Sequence, residues 1–131
     1  EIPPLPNSLT INIGEENDIS TMTKEEQKEL GVESGLNKLI KAAYKLLELM
    51  TFFTTGEDES RAWTIPRGSN AKRAGRAIHS DFEEKFIRAD VIFWEKLIEI
   101  GSWVKAREAG FIRSEGKEYI VKDGDVIEFK I

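Results

Sequence analysis

The chain has 131 residues, 40% of them hydrophobic and 33% charged, with 19 basic against 24 acidic side chains for a net charge of −5. That is room for one ordinary domain and a short appendage, with enough apolar residues to bury a core unaided. Having no cysteine, it cannot build a disulfide framework, a thiol nucleophile or a cysteine-based zinc or iron–sulfur site, and its net acidity argues against a general polyanion binder.

Pro3, Pro4 and Pro6 interrupt any apolar leader, and no stretch approaches the ~20 apolar residues of a membrane span. Glu1 in place of methionine suggests part of a longer protein; a cytoplasmic, membrane-free location is expected. Residues 1–19 read as extended, with Leu9, Ile11 and Ile13 alternating as in one short strand. Thr23 and Glu26 have capping-box spacing, and Gly31 stops the short helix they begin. Ser34 caps a longer helix. Its Leu36, Leu39, Ile40, Ala43, Leu47 and Met50 line one face and Lys38, Lys41 and Lys45 the other. That apolar face is expected to pack on the lead-in strand or to be shared with another chain.

From about residue 49 the period changes. Met50 to Thr55 and Arg61 to Ile65 read as a hairpin closed by Gly56–Ser60, ended by Pro66 and Gly68. Residues 70–84 suit a helix, and Ser80 with Glu83 marks a place for it to break and restart. Ile87 to Phe93 reads as a strand, Trp94–Ile100 and Val104–Ala109 as short helices. Asp123-Gly124 between Tyr119–Lys122 and Asp125–Ile131 carries the signature of a type I′ hairpin. This order predicts an α+β fold, a β-grasp (ubiquitin-like) domain preceded by a helical segment, with another small α+β sandwich as the alternative. Trp63, Ile65, Phe82, Phe86, Val91, Ile127 and Phe129 are the core candidates. The boundary falls between 1–48, a lead-in strand with helices, and 49–131, the β-grasp domain.

Charge is unevenly placed. Residues 1–56 carry 5 basic and 9 acidic groups, residues 57–131 carry 14 and 15. From Arg61 to Arg76 the chain holds Arg61, Arg67, Lys72, Arg73 and Arg76 with no acid between them. Arg and Lys on a strand and an adjoining helix start, where backbone N–H groups point outward, are suited to phosphate. Trp63 could stack on a base, although its alternation favours the core. The basic residues are expected to form one neighbourhood, the bland alternative being a solvated surface.

Other constellations point more weakly to chemistry. His79 beside Asp81 is general-base equipment without a visible nucleophile, and reads as a structural or interaction loop. One His without Cys makes metal binding weak, and Glu15-Glu16-Asn17-Asp18 and Glu57-Asp58-Glu59 lack calcium-loop spacing and read as solvated turns. Trp94 and Trp103 fit core packing, an exposed one marking a protein contact.

Phe53-Thr-Thr-Gly, Arg61-Ala-Trp-Thr-Ile, Ile78-His-Ser-Asp-Phe-Glu, Phe86-Ile-Arg-Ala-Asp-Val and Glu115-Gly-Lys-Glu-Tyr-Ile-Val-Lys-Asp-Gly-Asp-Val together resemble the C-terminal TGS domain of the YchF/Obg-like ATPases. Gly35-Leu-Asn-Lys-Leu-Ile-Lys-Ala-Ala-Tyr-Lys-Leu-Leu is similar to the helix closing that family's nucleotide-binding domain. The resemblance implies that 1–48 is a remnant of that domain and 49–131 a TGS domain. It also implies a ribosome- and RNA-binding parent of the P-loop class that uses ATP or GTP with Mg. No Gly-x-x-x-x-Gly-Lys-Ser/Thr occurs, so the chain itself should bind no nucleotide cofactor and hydrolyse nothing. The family's Ser-Ala segment is not recognisable around Ile11-Asn-Ile-Gly, and Arg73-Ala-Gly-Arg76 stands where an Ala-Ala-Gly helix start is usual. The expected role is a non-catalytic RNA- or ribosome-binding accessory domain, the alternative a protein–protein regulatory module without nucleic-acid contact.

Overall fold

Helix signals at the start of the chain outweigh the alternation of Leu9, Ile11 and Ile13. In the computed structural model, which describes residues 8–56 and 58–131, Asn12 caps a helix, α1 (Ile13–Ser20), by accepting the Gly14 N–H at 3.0 Å. The expected strand does not form, because Ile13 begins that helix with its side chain exposed. The proline-bearing lead and Glu57 lie outside the described residues. Thr23 and Glu26 close their capping box reciprocally at 3.2 and 2.7 Å to start α2 (Lys24–Glu29). Ser34 caps α3 (Gly35–Leu46) through the Leu36 N–H at 3.1 Å.

These elements belong to the first of two compact units, Glu1–Leu47 and Glu48–Ile131. On the apolar face of α3 and its C-cap, Leu39 is 45%, Ile40 48% and Leu47 65% exposed. This corrects the expectation that the face packs on a lead-in strand, since there is no such strand among the described residues. Met50, one turn further, leaves the helical period altogether and is buried in the first strand.

The second unit is a five-stranded sheet with helices. β1 (Leu49–Thr55) and β2 (Ser60–Pro66) form the expected hairpin, registered from Leu49 opposite Pro66 to Thr55 opposite Ser60. α4 (Ala71–Arg76) and α5 (Ser80–Glu84) follow, then β3 (Arg88–Phe93), α6 (Trp94–Ile100), α7 (Trp103–Glu108), β4 (Arg113–Glu115) and β5 (Asp125–Lys130). The sheet order is β2-β1-β5-β3-β4, with β1 parallel to β5 and the other pairs antiparallel.

Alternation assigns the two faces of the sheet. Met50, Phe52, Ile65, Ala89, Val91, Ile127 and Phe129 pack on Ala71 and Ala74 of α4, with Trp63, Phe82 and Phe86 half-buried around them. Each large side chain so buried contributes about 1.5–3 kcal/mol. Phe129 meets Phe52, Phe82 and Phe86 edge-on, at centroid distances of 6.0, 6.0 and 6.3 Å, the geometry that ring quadrupoles favour. On the other face Ile92 and Val126 bury against Ala106 of α7, flanked by Phe53, Leu97, Ile100 and Trp103.

Two breaks differ from expectation in detail. The helix over 70–84 does restart, but His79 rather than Ser80 caps α5, its Nδ1 accepting the Asp81 N–H at 3.2 Å. Gly75 permits the close fold-back: a Cβ there would lie 3.0 Å from the Phe82 carbonyl oxygen. The second hairpin does not form. Gly124 takes φ of +91° but Asp123 stays at negative φ, so a type I′ turn, which needs both residues positive, is excluded. Residues 119–122 instead turn towards α4: the Val121 N–H donates to the Ser69 carbonyl, and Ile120 bridges Asn70.

Candidate nucleic-acid interface

The basic stretch is spread over β2, the turn after it and α4. Arg61 lies on β2 with its guanidinium 5.3 Å from the centre of the Trp63 ring. Trp63 is itself half-buried against the core, and its indole N–H donates to Thr54 Oγ1 at 2.9 Å. Arg67 is drawn to the end of β1, where Nη2 donates to the Leu49 carbonyl at 3.3 Å and lies 3.5 Å from the Asp123 carboxylate.

Lys72, Arg73 and Arg76 share α4, with Lys72 and Arg76 one turn apart. All three are exposed, because the inward positions Ala71, Ala74 and Gly75 are the buried ones. Arg76 pairs with Glu83 of α5 at 3.2 Å. Among the described residues, Lys72 and Arg73 have no ion pair.

The amides at the start of α4 are not free, contrary to the sequence argument. The Ala71 N–H donates to the Tyr119 carbonyl at 2.7 Å, the Lys72 N–H to the Lys117 carbonyl at 3.4 Å and the Arg73 N–H to Asn70 Oδ1 at 2.9 Å. The 117–120 segment thus occupies the place a phosphate would need. The surface can attract anions through side-chain charge only.

His79 and Asp81 sit in the break between α4 and α5. His79 is 3.7 Å from the Asp81 carboxylate and caps the helix, and Asp81 pairs with Lys85 at 2.9 Å. Lys85 donates to the Asp81 carboxylate and holds it below its ordinary range, with a smaller contribution from His79. No group of three His, Asp or Glu side chains among the described residues could hold a metal ion.

Several polar groups escaped the sequence reading. Glu16 reaches from α1 to accept the Ser34 hydroxyl at 2.7 Å and the Gly35 N–H, so it is a second cap of α3 and not part of a solvated turn. Asp90, 5% exposed, accepts from Arg107, Ser114 and Arg88 at 3.1, 3.2 and 3.3 Å. Asp125, 1% exposed, accepts the Tyr119 hydroxyl at 2.7 Å and the Lys122 N–H at 2.9 Å. Such buried carboxylates leave no pattern of spacing, because their donors come from a helix, a neighbouring strand, the same strand and a loop. Trp94 is exposed at the surface while Trp103 packs on the second core cluster.

Residues 49–131 match the model of the family YchF-GTPase_C, described as "Protein of unknown function (DUF933)". The chain is 51% identical over 120 residues to the ribosome-binding ATPase YchF of Bacillus subtilis, and 44% identical over 132 residues to that of Mycoplasma genitalium. These alignments cover 88% and 96% of the chain but 33% and 36% of the relatives. The chain therefore spans about a third of the length of the curated relatives it matches. The structure of the Schizosaccharomyces pombe YchF GTPase superposes on 92% of the chain and 33% of its own length, with a TM-score of 0.79 and 35% identity. A GTP-binding protein from Pyrococcus horikoshii shares the fold at a TM-score of 0.53 and 17% identity, over 86% of this chain and 29% of its own.

Proposed function

The chain belongs to the YchF-GTPase C-terminal family, and from that membership we propose that it is a non-catalytic accessory module through which a nucleotide-hydrolysing parent meets RNA on the ribosome. The ribosome-binding names of its relatives support the destination. The observation that carries the RNA reading is the pair Lys72 and Arg73, two exposed cations on one helix, beside a chain that is otherwise acidic. Such charge fixes where a phosphate backbone lies without reading its sequence.

In this reading residues 49–131 are a TGS domain of β-grasp type. The sheet order β2-β1-β5-β3-β4 with its central parallel pair, and α4 laid on one face, support that assignment. ATP or GTP with Mg belongs to the parent, and the cytoplasm is the location that ribosome binding implies. Among the described residues no helix is long and apolar enough to cross a membrane.

A salt titration tests the RNA reading. The chain should bind a mixed-sequence single-stranded RNA with an affinity that falls linearly on a log–log plot, each neutralised phosphate adding about 0.7 to the slope. A salt-independent affinity would remove phosphate contacts from the account. One observation favours a protein partner as a second reading: Trp94 and Ile98, one turn apart on α6, are 40% and 69% exposed.

A further inference from the structure

The basic surface does not present its cations equally, and the difference is built by two acids. Arg76 Nη1 lies 3.2 Å from Glu83 across the break between α4 and α5, with the Glu83 side chain 27% exposed. Arg67 Nη2 lies 3.5 Å from Asp123. Lys72 and Arg73 have no such partner among the described residues. Asp123 is itself fixed, since its Oδ1 accepts the Thr51 N–H at 3.0 Å. Glu83 is fixed by its helix, which the Gly75–Phe82 contact and the Phe82–Phe129 ring contact hold in place.

We propose that Glu83 and Asp123 are intramolecular stand-ins for RNA phosphates, which occupy Arg76 and Arg67 in the free protein and are displaced when a polyanion engages Lys72 and Arg73. This rests on the RNA reading above and adds a regulation of the same site. A carboxylate satisfies the same guanidinium donors as a phosphate oxygen. An exposed pair of this kind is worth little, so a ligand carrying several phosphates can exchange it and a lone anion cannot. The acids also repel any anion that fails to make the exchange. They thereby set a threshold of phosphate density that an acidic protein needs against small cellular anions.

The test measures binding of a mixed-sequence single-stranded RNA and, in competition, inorganic phosphate. Removing either acid should strengthen binding by more than the loss of one negative charge elsewhere on the molecule does. Glu83→Gln and Asp123→Asn, the latter keeping an oxygen for the Thr51 N–H, should each tighten RNA binding at low salt by on the order of two- to fivefold. The gain should shrink as salt screens the pair, and both variants should become more sensitive to competing phosphate. Glu95→Gln is the control: it removes the same charge from α6, which flanks the opposite face of the sheet. Tightening no greater than that of Glu95→Gln, or any weakening, would overturn the stand-in role. If Lys72→Glu with Arg73→Glu leaves RNA binding intact, the RNA reading fails instead, so the two failures are told apart.

Discussion

The Tyr119 hydroxyl donates at 2.7 Å to the carboxylate of Asp125, which is 1% exposed and lies at the start of β5. The bond ties the segment before the Asp123-Gly124 turn to the strand after it, without a ladder between them. Arg113 Nη2 donates to the same hydroxyl at 3.0 Å, and the Lys122 N–H donates to the same carboxylate. Burial first, and the Asp125 carboxylate second, push the phenol well above its ordinary pKa, so it remains a donor throughout the physiological range.

Tyr119→Phe should therefore leave Asp125 a buried carboxylate short of one donor. A loss of about 1–3 kcal/mol is expected, read as a lower midpoint in urea with an unchanged slope. An unchanged midpoint would show that the hydroxyl contributes nothing.

Within that turn Gly124 lies against Phe93 and Trp94 at the start of α6. A Cβ built there would lie 2.7 Å from both Phe93 Cε2 and Trp94 Cδ1, and its φ is +91°. Gly124→Ala combines a clash with a left-handed backbone, and should destabilise by more than the roughly 1 kcal/mol of the backbone effect alone. Thermal unfolding checks this, and the Trp94 fluorescence should shift with it.

Glu16 predicts a pH response in the first unit. The Gly35 N–H, then the Ser34 hydroxyl, donate to its carboxylate and hold its pKa below the ordinary value. A folded value below the unfolded one means that its contribution is present at neutral pH and lost as pH falls through the folded value. The protection of the amides at the start of α3, taken relative to their intrinsic exchange rates at each pH, should fall in acid by NMR hydrogen exchange. Glu16→Gln, neutral at every pH, should abolish that dependence; a pH response that survives it would assign the effect elsewhere.

Local signals were legible where the sequence carries the whole interaction. The Thr23–Glu26 capping box and the β1–β2 hairpin are settled by neighbours within a few residues. Four of the seven core candidates, Ile65, Val91, Ile127 and Phe129, are buried, and the other three pack half-buried against them. The second hairpin was misread because Asp123-Gly124 fits a tight turn, while what decides the path of 119–122 is the Ser69 carbonyl and Asn70, far away in sequence. The start of α4 failed for the same reason: its amides meet carbonyls at 117 and 119. In the basic stretch, the sharing of α4 by Lys72, Arg73 and Arg76 follows from helical spacing. The pairing of Arg67 with Asp123 does not, because a surface ion pair between distant segments has no sequence period.

The most direct measurement compares two charge-reversed pairs for binding to a mixed-sequence single-stranded RNA across a salt series. Lys72→Glu with Arg73→Glu changes α4; Lys96→Glu with Lys105→Glu makes the same change of charge on α6 and α7. Folding should survive the first pair, since acids suit the first turn of a helix. If Lys72 and Arg73 meet phosphate, the α4 pair weakens binding at least about tenfold and flattens the log–log slope by about 1.4, two phosphate contacts' worth, while the α6–α7 pair leaves the slope unchanged. Equal effects of the two pairs, or a wild-type slope in the α4 pair, would contradict that contact.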